Sequence, residues 1–550
     1  MRIRRPRIGS VTLSILTAAF LLFLTNWTFW RKAFLYFAGH EDHLALMAIA
    51  LFLLFVALMT TISVKYATKP LFIAFILISA SASYYADTFG ILISRDMIQN
   101  VALTSTSEAR HLVTPDLIRH LALYGLLPSV LICWVEIVHR RFPAKLLHNC
   151  LVIFPALAIA AIISLSTYST LASTFREHRD LIGSLNPTAP VVAAVRYASH
   201  EMRERNVVAQ PLGRDARQGE RMAGSQKPVL TILVIGETAR AQNFGLNGYV
   251  KDTTPELAAR NVAHFTDVSS CGTSTAVSVP CMFSVYPRSA YSEYKALATE
   301  NLTDVLGHAG VKVKWFDNDA GAYQVADRIP YEFLPSTNDP RFCSGGECQD
   351  EILVERLKRE LGEIKSNTVL VLHQIGSHGP AYHERYPESF ERFKPACHTA
   401  QFADCTRDEI VSAYDNTIAY TDHVLAEIID LLHDHTEFAG SLLFLSDHGE
   451  SLGENGLYLH GTPYFLAPKT QTQVPMVAWF SDGYQALRPT DLACLKAQKD
   501  APLSQDNLFH TMLGMMDVST NAYDKGLDAF AACRDPAPSG GLASAAEPRS

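Results

Sequence analysis

The stretch VLTILVIGET, from Val229 to Thr238, is a run of apolar and β-branched residues that ends in a carboxylate and a hydroxyl. A short continuous apolar run is typical of a strand that is buried on both faces. From Pro228 onward, similar runs alternate with helical stretches. This alternation predicts a parallel sheet covered by helices on both faces.

Polar residues directly follow four of the predicted strands. In open α/β sheets, ligands bind at the carboxyl ends of the strands. The four strand ends therefore predict a single site. They carry Glu237 and Thr238 after VLTILVIG, Asp317, Asn318 and Asp319 after VKVKWF, His373 and His378 in TVLVLHQIGSHGP, and Asp447 and His448 after SLLFLS.

The N-terminal part of the chain contains five apolar runs, near residues 11–30, 43–63, 70–89, 120–138 and 148–170. Each run is long enough to cross ~30 Å of hydrocarbon as a helix. Five membrane spans are therefore predicted. The first run is not a cleaved signal peptide, because its apolar stretch continues past Ala18 and Ala19 into LLFLTNW and further spans follow.

Basic residues predict the orientation of these spans. Three segments between or before the runs are basic: the segment before the first run (Arg2, Arg4, Arg5, Arg7), the one between the second and third (Lys65, Lys69) and the one between the fourth and fifth (Arg140, Arg141, Lys145). Arg31 and Lys32 lie on the opposite side and are an exception to this pattern. The positive-inside rule places the three segments in the cytoplasm. Five crossings then leave the rest of the chain outside, in the periplasm or at the cell exterior.

We predict four regions along the chain: a transmembrane domain with five helices (1–172), a polar connector (173–227), an exported domain (228–534) and a disordered tail (535–550). The net charge is −8 and no long basic run occurs beyond the N-terminus. Nucleic acid is therefore excluded as a partner.

The cysteines of the exported part occur mostly in close pairs. In an oxidising compartment such pairs predict disulfides. Zinc ligation is the alternative, although the chain has no C-x₂-C motif. The pairs are Cys271/Cys281, Cys343/Cys348 and Cys397/Cys405, with Cys494/Cys533 as a more distant fourth.

The adjacent Asp447 and His448 offer a hard oxygen and an imidazole nitrogen, a combination that suits zinc or a related divalent ion. Glu237 supplies a second carboxylate. Thr275, in SSCGTSTAVSVPCMFS between Cys271 and Cys281, would be the fourth ligand. Binding to a divalent cation would lower the pKa of its hydroxyl and make it a nucleophile. The alternative is that TSTAVS is only a well-capped helix N-terminus.

Other histidines and carboxylates are weaker candidates. His378 and His460 lie in turns bounded by Gly and Pro, where they would contact phosphate or a second metal ion. A lone loop histidine is, however, most often structural or solvated. His373 is as consistent with a packed residue as with a ligand, and Asp319 and Asp327 offer only a carboxylate in a loop.

Several of these segments, IGETAR, CGTSTAVSVPCMFS, HQIGSHGPAY, AYDNT and SDHGESLGENGLYLHG, resemble the phosphoethanolamine–lipid A transferases, the family that includes the mobile colistin-resistance enzymes. The resemblance covers nearly the whole chain. It implies an N-terminal five-helix transmembrane bundle followed by a periplasmic α/β/α domain of the alkaline phosphatase/sulfatase type. The protein is then expected in the bacterial inner membrane, as a monomer.

The resemblance also implies roles for single residues. The family's zinc ligands fall on Glu237, Thr275, Asp447 and His448, and Thr275 becomes phosphoethanolaminated. His378 and His460 match histidines near the substrate phosphate and a possible second zinc ion. Asn100 and Glu108, in DMIQNVALTSTSEA, match residues that hold the head group of the lipid donor, although a solvated amphipathic helix is the alternative.

One segment departs from the family pattern. Tyr323 stands where many relatives carry a lysine, so a substrate contact of that lysine is absent or made differently. Ala322 and Ala326 replace cysteines that flank it in some relatives, and one family disulfide is therefore missing.

The implied reaction moves phosphoethanolamine from phosphatidylethanolamine to a lipid A phosphate through a threonine intermediate, and the added ammonium reduces the negative charge that attracts polymyxins and other cationic peptides. Alternatives are transfer to core sugars of lipopolysaccharide, a membrane-anchored phosphohydrolase, and a scaffold without activity. A sulfatase would need a C/S-x-P-x-R segment, and CGTSTAVSVP has no such arginine.

Overall fold

The computed structural model describes residues 5–138, 141–204 and 207–534. Two compact units emerge from the packing. A helical unit comprises Met1–Ala102, Leu112–Met202 and Gly453–Leu466, and a sheet unit comprises Leu103–His111, Arg203–Leu452 and Ala467–Ser550. The predicted tail (535–550) and three of the basic residues used for orientation, Arg2, Arg4 and Arg140, lie outside the described residues.

Long apolar helices dominate the helical unit. Four of them are long and apolar enough to cross a membrane, namely Glu41–Ile62, Thr68–Phe89, Pro115–Trp134 and Phe142–Ser166. They match the second to fifth predicted spans. The third of these contains a π-helical turn at Leu121–Leu126. Shorter helices of this unit are Arg95–Leu103, Tyr168–Glu177, Arg179–Gly183 and Thr188–Glu204, whereas nearly all of helix Thr106–Leu112 belongs to the sheet unit.

The first predicted span is not one straight helix. It is a pair, Ser10–Leu24 and Trp27–Tyr36, bent by 65° at a short break. At the break, Asn26 donates a hydrogen bond from Nδ2 to the Leu21 carbonyl and accepts one at Oδ1 from the backbone amide of Asn186. These polar bonds satisfy the groups that the interrupted helix leaves open.

An eight-stranded sheet forms the centre of the sheet unit. Its strands are β1 (Val229–Gly236), β2 (Ala263–Ser269), β3 (Lys312–Asp317), β4 (Tyr331–Phe333), β5 (Thr368–His373), β6 (Ala439–Ser446), β7 (Gln473–Phe480) and β8 (Leu503–Ser504). Their spatial order is β8-β2-β7-β6-β1-β5-β3-β4. Every neighbouring pair is parallel except those made by β7, which is antiparallel to β6 and to β2.

Both faces of this sheet are buried by helices. The odd-numbered residues of β1, such as Leu233, pack in one core with helices Leu302–His308 and Asp506–Met515. On the other face, a Cβ atom at Gly440 would lie 3.3 Å from the Leu432 side chain of helix Arg407–Asp434. The α/β/α expectation is therefore confirmed. The other helices are Glu220–Ala223, Pro255–Ala258, Thr275–Met282, Glu293–Leu297, Glu351–Leu361, Lys469–Thr472, Asp482–Leu487 and Leu492–Ala497.

All four predicted cysteine pairs form disulfides: Cys271–Cys281, Cys343–Cys348, Cys397–Cys405 and Cys494–Cys533. The zinc-ligand alternative for these cysteines is therefore wrong. Among the described residues, Cys133 and Cys150 are the free thiols.

The register of the parallel strands aligns their carboxyl ends. His373 at the end of β5 pairs with Asp317 of β3 and with Ile235 of β1, and Ser446 of β6 pairs with Gly236 of β1. The polar residues that follow these four adjacent strands are therefore brought to one edge of the sheet.

Candidate active site

Four predicted metal ligands meet at this edge. Glu237, Asp447 and His448 are fully buried, and Thr275 is 7% exposed. Thr275 Oγ1 lies 3.1 Å from Glu237 Oε2 and 3.4 Å from His448 Nε2. His448 Nε2 lies 3.2 Å from Asp447 Oδ2 and 3.7 Å from Glu237 Oε1. Three oxygens and one nitrogen thus converge on one point.

The backbone after β1 is held tightly against its neighbours. Thr238 has a left-handed φ of 58°, and its amide donates a hydrogen bond to Asp447 Oδ1 at 3.1 Å. Its hydroxyl donates a very short hydrogen bond to Glu237 Oε1. A Cβ atom at Gly376 would lie 2.6 Å from the Glu237 carbonyl oxygen, so only glycine fits this close approach. Glu237 therefore has little freedom to move.

Thr275 is the first residue of helix Thr275–Met282, as the expected helix start implied. The Cys271–Cys281 disulfide joins the loop before this helix to its last turn. In the loop, the Gly272 amide donates a hydrogen bond to Ser278 Oγ at 3.0 Å. These links fix the position of Thr275 relative to the ends of the strands.

The donor set fits a divalent cation. Burial, followed by the charges of Asp447 and Asp319, raises the pKa of Glu237 well above its ordinary value. Asp447 Oδ2 is buried and has no hydrogen-bond partner among the described residues. His448 donates from Nδ1 to the Gly449 carbonyl at 3.0 Å, so Nε2 faces the carboxylates and Thr275 Oγ1 as the basic nitrogen of the neutral ring. A cation would neutralise the carboxylates, and this oxygen and imidazole set suits zinc.

His373 is more than a packed residue. Its Nδ1 lies 3.2 Å from Asp317 Oδ2, and its Nε2 lies 3.8 Å from Asp319 Oδ2. Burial lowers the pKa of His373, but the carboxylates of Asp317, Asp319 and Asp447 together outweigh burial, and the pKa rises to about 9. Burial also raises the pKa of Asp319 to about 6. Asp327, by contrast, is exposed.

His378 pairs with Glu108 within the sheet unit, with His378 Nε2 3.1 Å from Glu108 Oε1. Both were candidates for substrate contact. Burial lowers the pKa of His378. The charge of Glu108 and its hydrogen bond raise this pKa by more than burial lowers it, and the resulting pKa is about 9. A cavity of about 30 Å³ lies beside this pair, lined by Ser105, Ser107, Glu108, Asn318, Asp319, Ala320, Phe333, Pro335, Gly346, Glu347, Ile375 and His378.

The other two candidates, Asn100 and His460, lie in the helical unit. Asn100 is on helix Arg95–Leu103. Gly461, next to His460, has a positive φ, and a Cβ atom there would lie 3.5 Å from Asn100 Nδ2. The two predicted residues are therefore neighbours.

Tyr323 has a left-handed φ of 47°. Burial, followed by the charges of Asp319, Glu237 and Glu108, raises the pKa of Tyr323 well above its ordinary value. The phenol therefore stays neutral beside these carboxylates, where a lysine would place a cation.

Two buried residues that support the site escaped prediction from the sequence. Gln505 accepts a hydrogen bond at Oε1 from the Cys271 amide and donates from Nε2 to the carbonyls of Ser446 and Asp447. Asp350 accepts hydrogen bonds from the backbone amides after β5, at Ile375 and Gly376. Both come from loops far from the site in sequence, so no local pattern marks them.

Comparisons with known proteins match both parts of the chain. The family profile described as "Phosphoethanolamine transferase EptA/EptB" matches residues 51–202, and the profile "Sulfatase" matches residues 230–518. Phosphoethanolamine transferase EptA of Escherichia coli K12 is 39% identical over 97% of this chain and 98% of its own. Phosphatidylethanolamine transferase Mcr-1 of Escherichia coli is 34% identical over 93% and 96%.

A solved structure is similar along nearly the whole chain. It is the integral membrane protein lipooligosaccharide phosphoethanolamine transferase A from Neisseria meningitidis. The TM-score is 0.93 at 36% identity, with 96% of this chain and 100% of that chain covered.

Proposed function

The chain belongs to the EptA/EptB family of phosphoethanolamine transferases, and from this premise we propose that it moves phosphoethanolamine from phosphatidylethanolamine to a phosphate group of lipid A. The observation that carries the proposal is the position of Thr275 Oγ1. It lies 3.1 Å from Glu237 Oε2 and 3.4 Å from His448 Nε2, at the start of a helix.

Glu237, Thr275, Asp447 and His448 would hold one zinc ion. Bound zinc would lower the pKa of the threonine hydroxyl and offset the negative charge of the reacting phosphate. Glu237 Oε2 accepts the hydrogen bond of this hydroxyl and so sets the direction of its lone pairs. The backbone amides of Thr275 and Ala276 precede the first hydrogen bond of helix Thr275–Met282, which Val277 donates to the Ser274 carbonyl, and they suit a phosphoryl oxygen.

The reaction has two halves. In the first, Thr275 Oγ1 forms a bond to the phosphorus of phosphatidylethanolamine, the bond from phosphorus to the glycerol oxygen breaks, and diacylglycerol leaves. Thr275 gives up one proton and diacylglycerol takes up one. In the second half, a phosphate oxygen of lipid A forms a bond to the same phosphorus and the bond to Thr275 breaks; the acceptor phosphate gives up one proton and the threonine takes up one.

Membrane attachment suits this chemistry, because donor and acceptor are both lipids. We place the sheet unit in the periplasm, where both lipids present their head groups. Each transfer adds an ammonium group to lipid A, so the product attracts polymyxins and other cationic peptides less strongly. Mass spectrometry of lipid A from expressing cells tests the acceptor: an unmodified lipid A with a modified core sugar would contradict this assignment.

The nucleophile assignment predicts that Thr275→Ala abolishes transfer while leaving the fold intact. Wild-type protein incubated with phosphatidylethanolamine should gain the mass of phosphoethanolamine on the peptide that contains Thr275. The Thr275→Ala variant should show neither the adduct nor lipid A modification. Thr273→Ala, a change of the same type in the same loop, is the control and should retain both. Modified lipid A in cells with Thr275→Ala would exclude Thr275 as the nucleophile.

A phosphohydrolase is the second candidate, since water could resolve the same adduct. Purified protein with a fluorescent phosphatidylethanolamine separates the two functions. For a transferase, diacylglycerol release should rise when lipid A is added. Release that is fast and indifferent to lipid A would favour the hydrolase.

A further inference from the structure

A second group of ligands adjoins the zinc site. One ligand atom from each of Glu237, Asp319 and His373 lies within 4.8 Å of the others. Glu237 and His373 are fully buried, and the Asp319 side chain is 7% exposed. Glu237 belongs to both groups, so the two groups are adjacent through a shared carboxylate.

The orientation of His373 is that of a metal ligand. Asp317 fixes the ring, because its Oδ2 lies 3.2 Å from His373 Nδ1 and also accepts a hydrogen bond from Trp315 Nε1 at 2.8 Å. Its Oδ1 accepts from the amides of Asp319 and Gly321. A carboxylate that only accepts keeps a proton on Nδ1, so Nε2 is the nitrogen that would give up its proton to bind a metal ion. Metal-binding histidines usually donate their other N–H to such a carboxylate.

His373 Nε2 is unpartnered. It is buried and has no hydrogen-bond partner in the described part of the chain. Its nearest anionic atom is Asp319 Oδ2, at 3.8 Å. This gap is too long for a hydrogen bond but is what two ligands of one ion would show, since each would lie about 2 Å from a zinc ion between them.

The charges also call for a second cation. Glu237, Asp317, Asp319 and Asp447 are four carboxylates in one buried region. Within the described ranges, their ion-pair partners are histidines and none is a lysine or arginine. Buried carboxylates this close together need compensation by protons or cations, and a divalent ion at the group of Glu237, Asp319 and His373 would supply it.

We propose that Asp319 and His373, together with Glu237 as a shared ligand, bind a second divalent cation beside the zinc ion. This rests on the proposed function, because Glu237 must serve the zinc site at the same time. Carboxylate and imidazole ligands suit zinc or manganese. In sites with two metal ions about 4 Å apart, the second ion binds an oxygen of the transferred phosphoryl group and offsets its charge.

Zinc stoichiometry tests the proposal. Full-length protein in detergent is stripped with a chelator, reloaded with excess zinc and desalted, and zinc per chain is measured by mass spectrometry. We expect two zinc ions in the wild type and one in Asp319→Asn and in His373→Gln. Asp327→Asn removes an exposed carboxylate from the same segment and should retain two.

Loading with Co²⁺ gives a second readout. Two ions bridged by Glu237 should show magnetic coupling in the wild type, and Asp319→Asn should show the spectrum of an isolated ion. One zinc ion in the wild type would overturn the proposal. So would two zinc ions in both the wild type and Asp319→Asn, because the second ion would then lie elsewhere.

The same preparations are assayed for the Thr275 adduct, which separates the two proposals. One zinc ion with a normal adduct contradicts only the second cation site. Two ions that fall to one in Asp319→Asn, without any adduct in the wild type, would support the second site and contradict the transferase.

Discussion

Gln505 connects the two parts of the site through one side chain. It holds the loop that carries Thr275 by accepting from the Cys271 amide at 2.7 Å. It holds the end of β6 by donating to the carbonyls of Ser446 and Asp447 at 2.8 and 2.6 Å. The distance between Thr275 and the other three proposed zinc ligands therefore depends on a residue outside the proposed ligand set.

Replacing Gln505 with leucine should therefore lower both stability and activity. The change leaves a buried amide and two carbonyls without partners, at a cost of about 1–3 kcal/mol in the free energy of unfolding. Displacement of Thr275 should reduce the transfer rate by about 10- to 100-fold. Denaturant unfolding and the rate of adduct formation measure the two effects. The exposed Gln210 offers a matched control, and Gln210→Leu should change neither.

His378 and Glu108 give the stability of the metal-free protein a definite pH dependence. The folded-state pKa of His378 is about 9, above its ordinary value of 6.5. The pair therefore stabilises the fold fully below pH 6.5, and this contribution is lost as the pH rises through 9. The difference in unfolding free energy between wild type and Glu108→Gln should shrink across this range.

The exposed Glu388 provides the control for this experiment. Glu388→Gln should differ from wild type by an amount that does not change with pH. If Glu108→Gln behaves in the same way, Glu108 does not set the protonation of His378.

At the scale of elements, the parallel sheet explains why the sequence could point to residues that lie together, the proposed metal ligands. Glu237 and Asp447 come directly after short apolar runs that predict buried strands, and the register aligns the ends of those strands. Asp350 and Gln505 lack such a mark, because their hydrogen bonds join backbone groups distant in sequence. Sequence patterns thus predicted which side chains converge at this edge, but not the residues that hold them in place.

The helix that starts at Thr275 should depend on its disulfide for activity. Removing Cys271–Cys281 by paired Cys→Ala substitutions frees the loop before the helix and should cost about 3 kcal/mol of stability. Transfer should fall more than stability alone explains, because Thr275 loses its fixed position. Adduct formation well below the unfolding temperature measures this effect.

Cys397–Cys405 is a matched control, since it closes a loop of similar length: the two separations are 8 and 10 residues. Its removal should cost similar stability and leave the adduct unchanged. Equal losses of adduct in both variants would show that the first disulfide acts only through global stability.

At the scale of the whole molecule, the units do not follow chain order. Leu103–His111 belongs to the sheet unit although it lies between membrane helices in sequence, and Gly453–Leu466 belongs to the helical unit although it follows β6. Hydropathy predicted the four spans that are single helical segments because each has a long apolar window. It missed the break at Asn26, whose side chain is satisfied by Asn186, 160 residues away.

This bent pair decides the orientation of the protein. If Ser10–Leu24 and Trp27–Tyr36 together make one crossing, the chain crosses the membrane five times and its two ends lie on opposite sides. If the pair instead enters and leaves the membrane on the same side, the chain crosses four times and its two ends lie on one side. We expect the first arrangement, because Arg5 and Arg7 precede the pair and favour a cytoplasmic N-terminus.

Fusions to reporter proteins test this arrangement. A green fluorescent protein that folds only in the cytoplasm should fluoresce when it is fused to the N-terminus and stay dark when it is fused to the C-terminus. Alkaline phosphatase fused to the C-terminus should be active. A fusion truncated after Tyr66, between two spans, should fluoresce as the internal reference. An N-terminal fusion that stays dark while the reference fluoresces would show that the bent pair enters and leaves the membrane on one side.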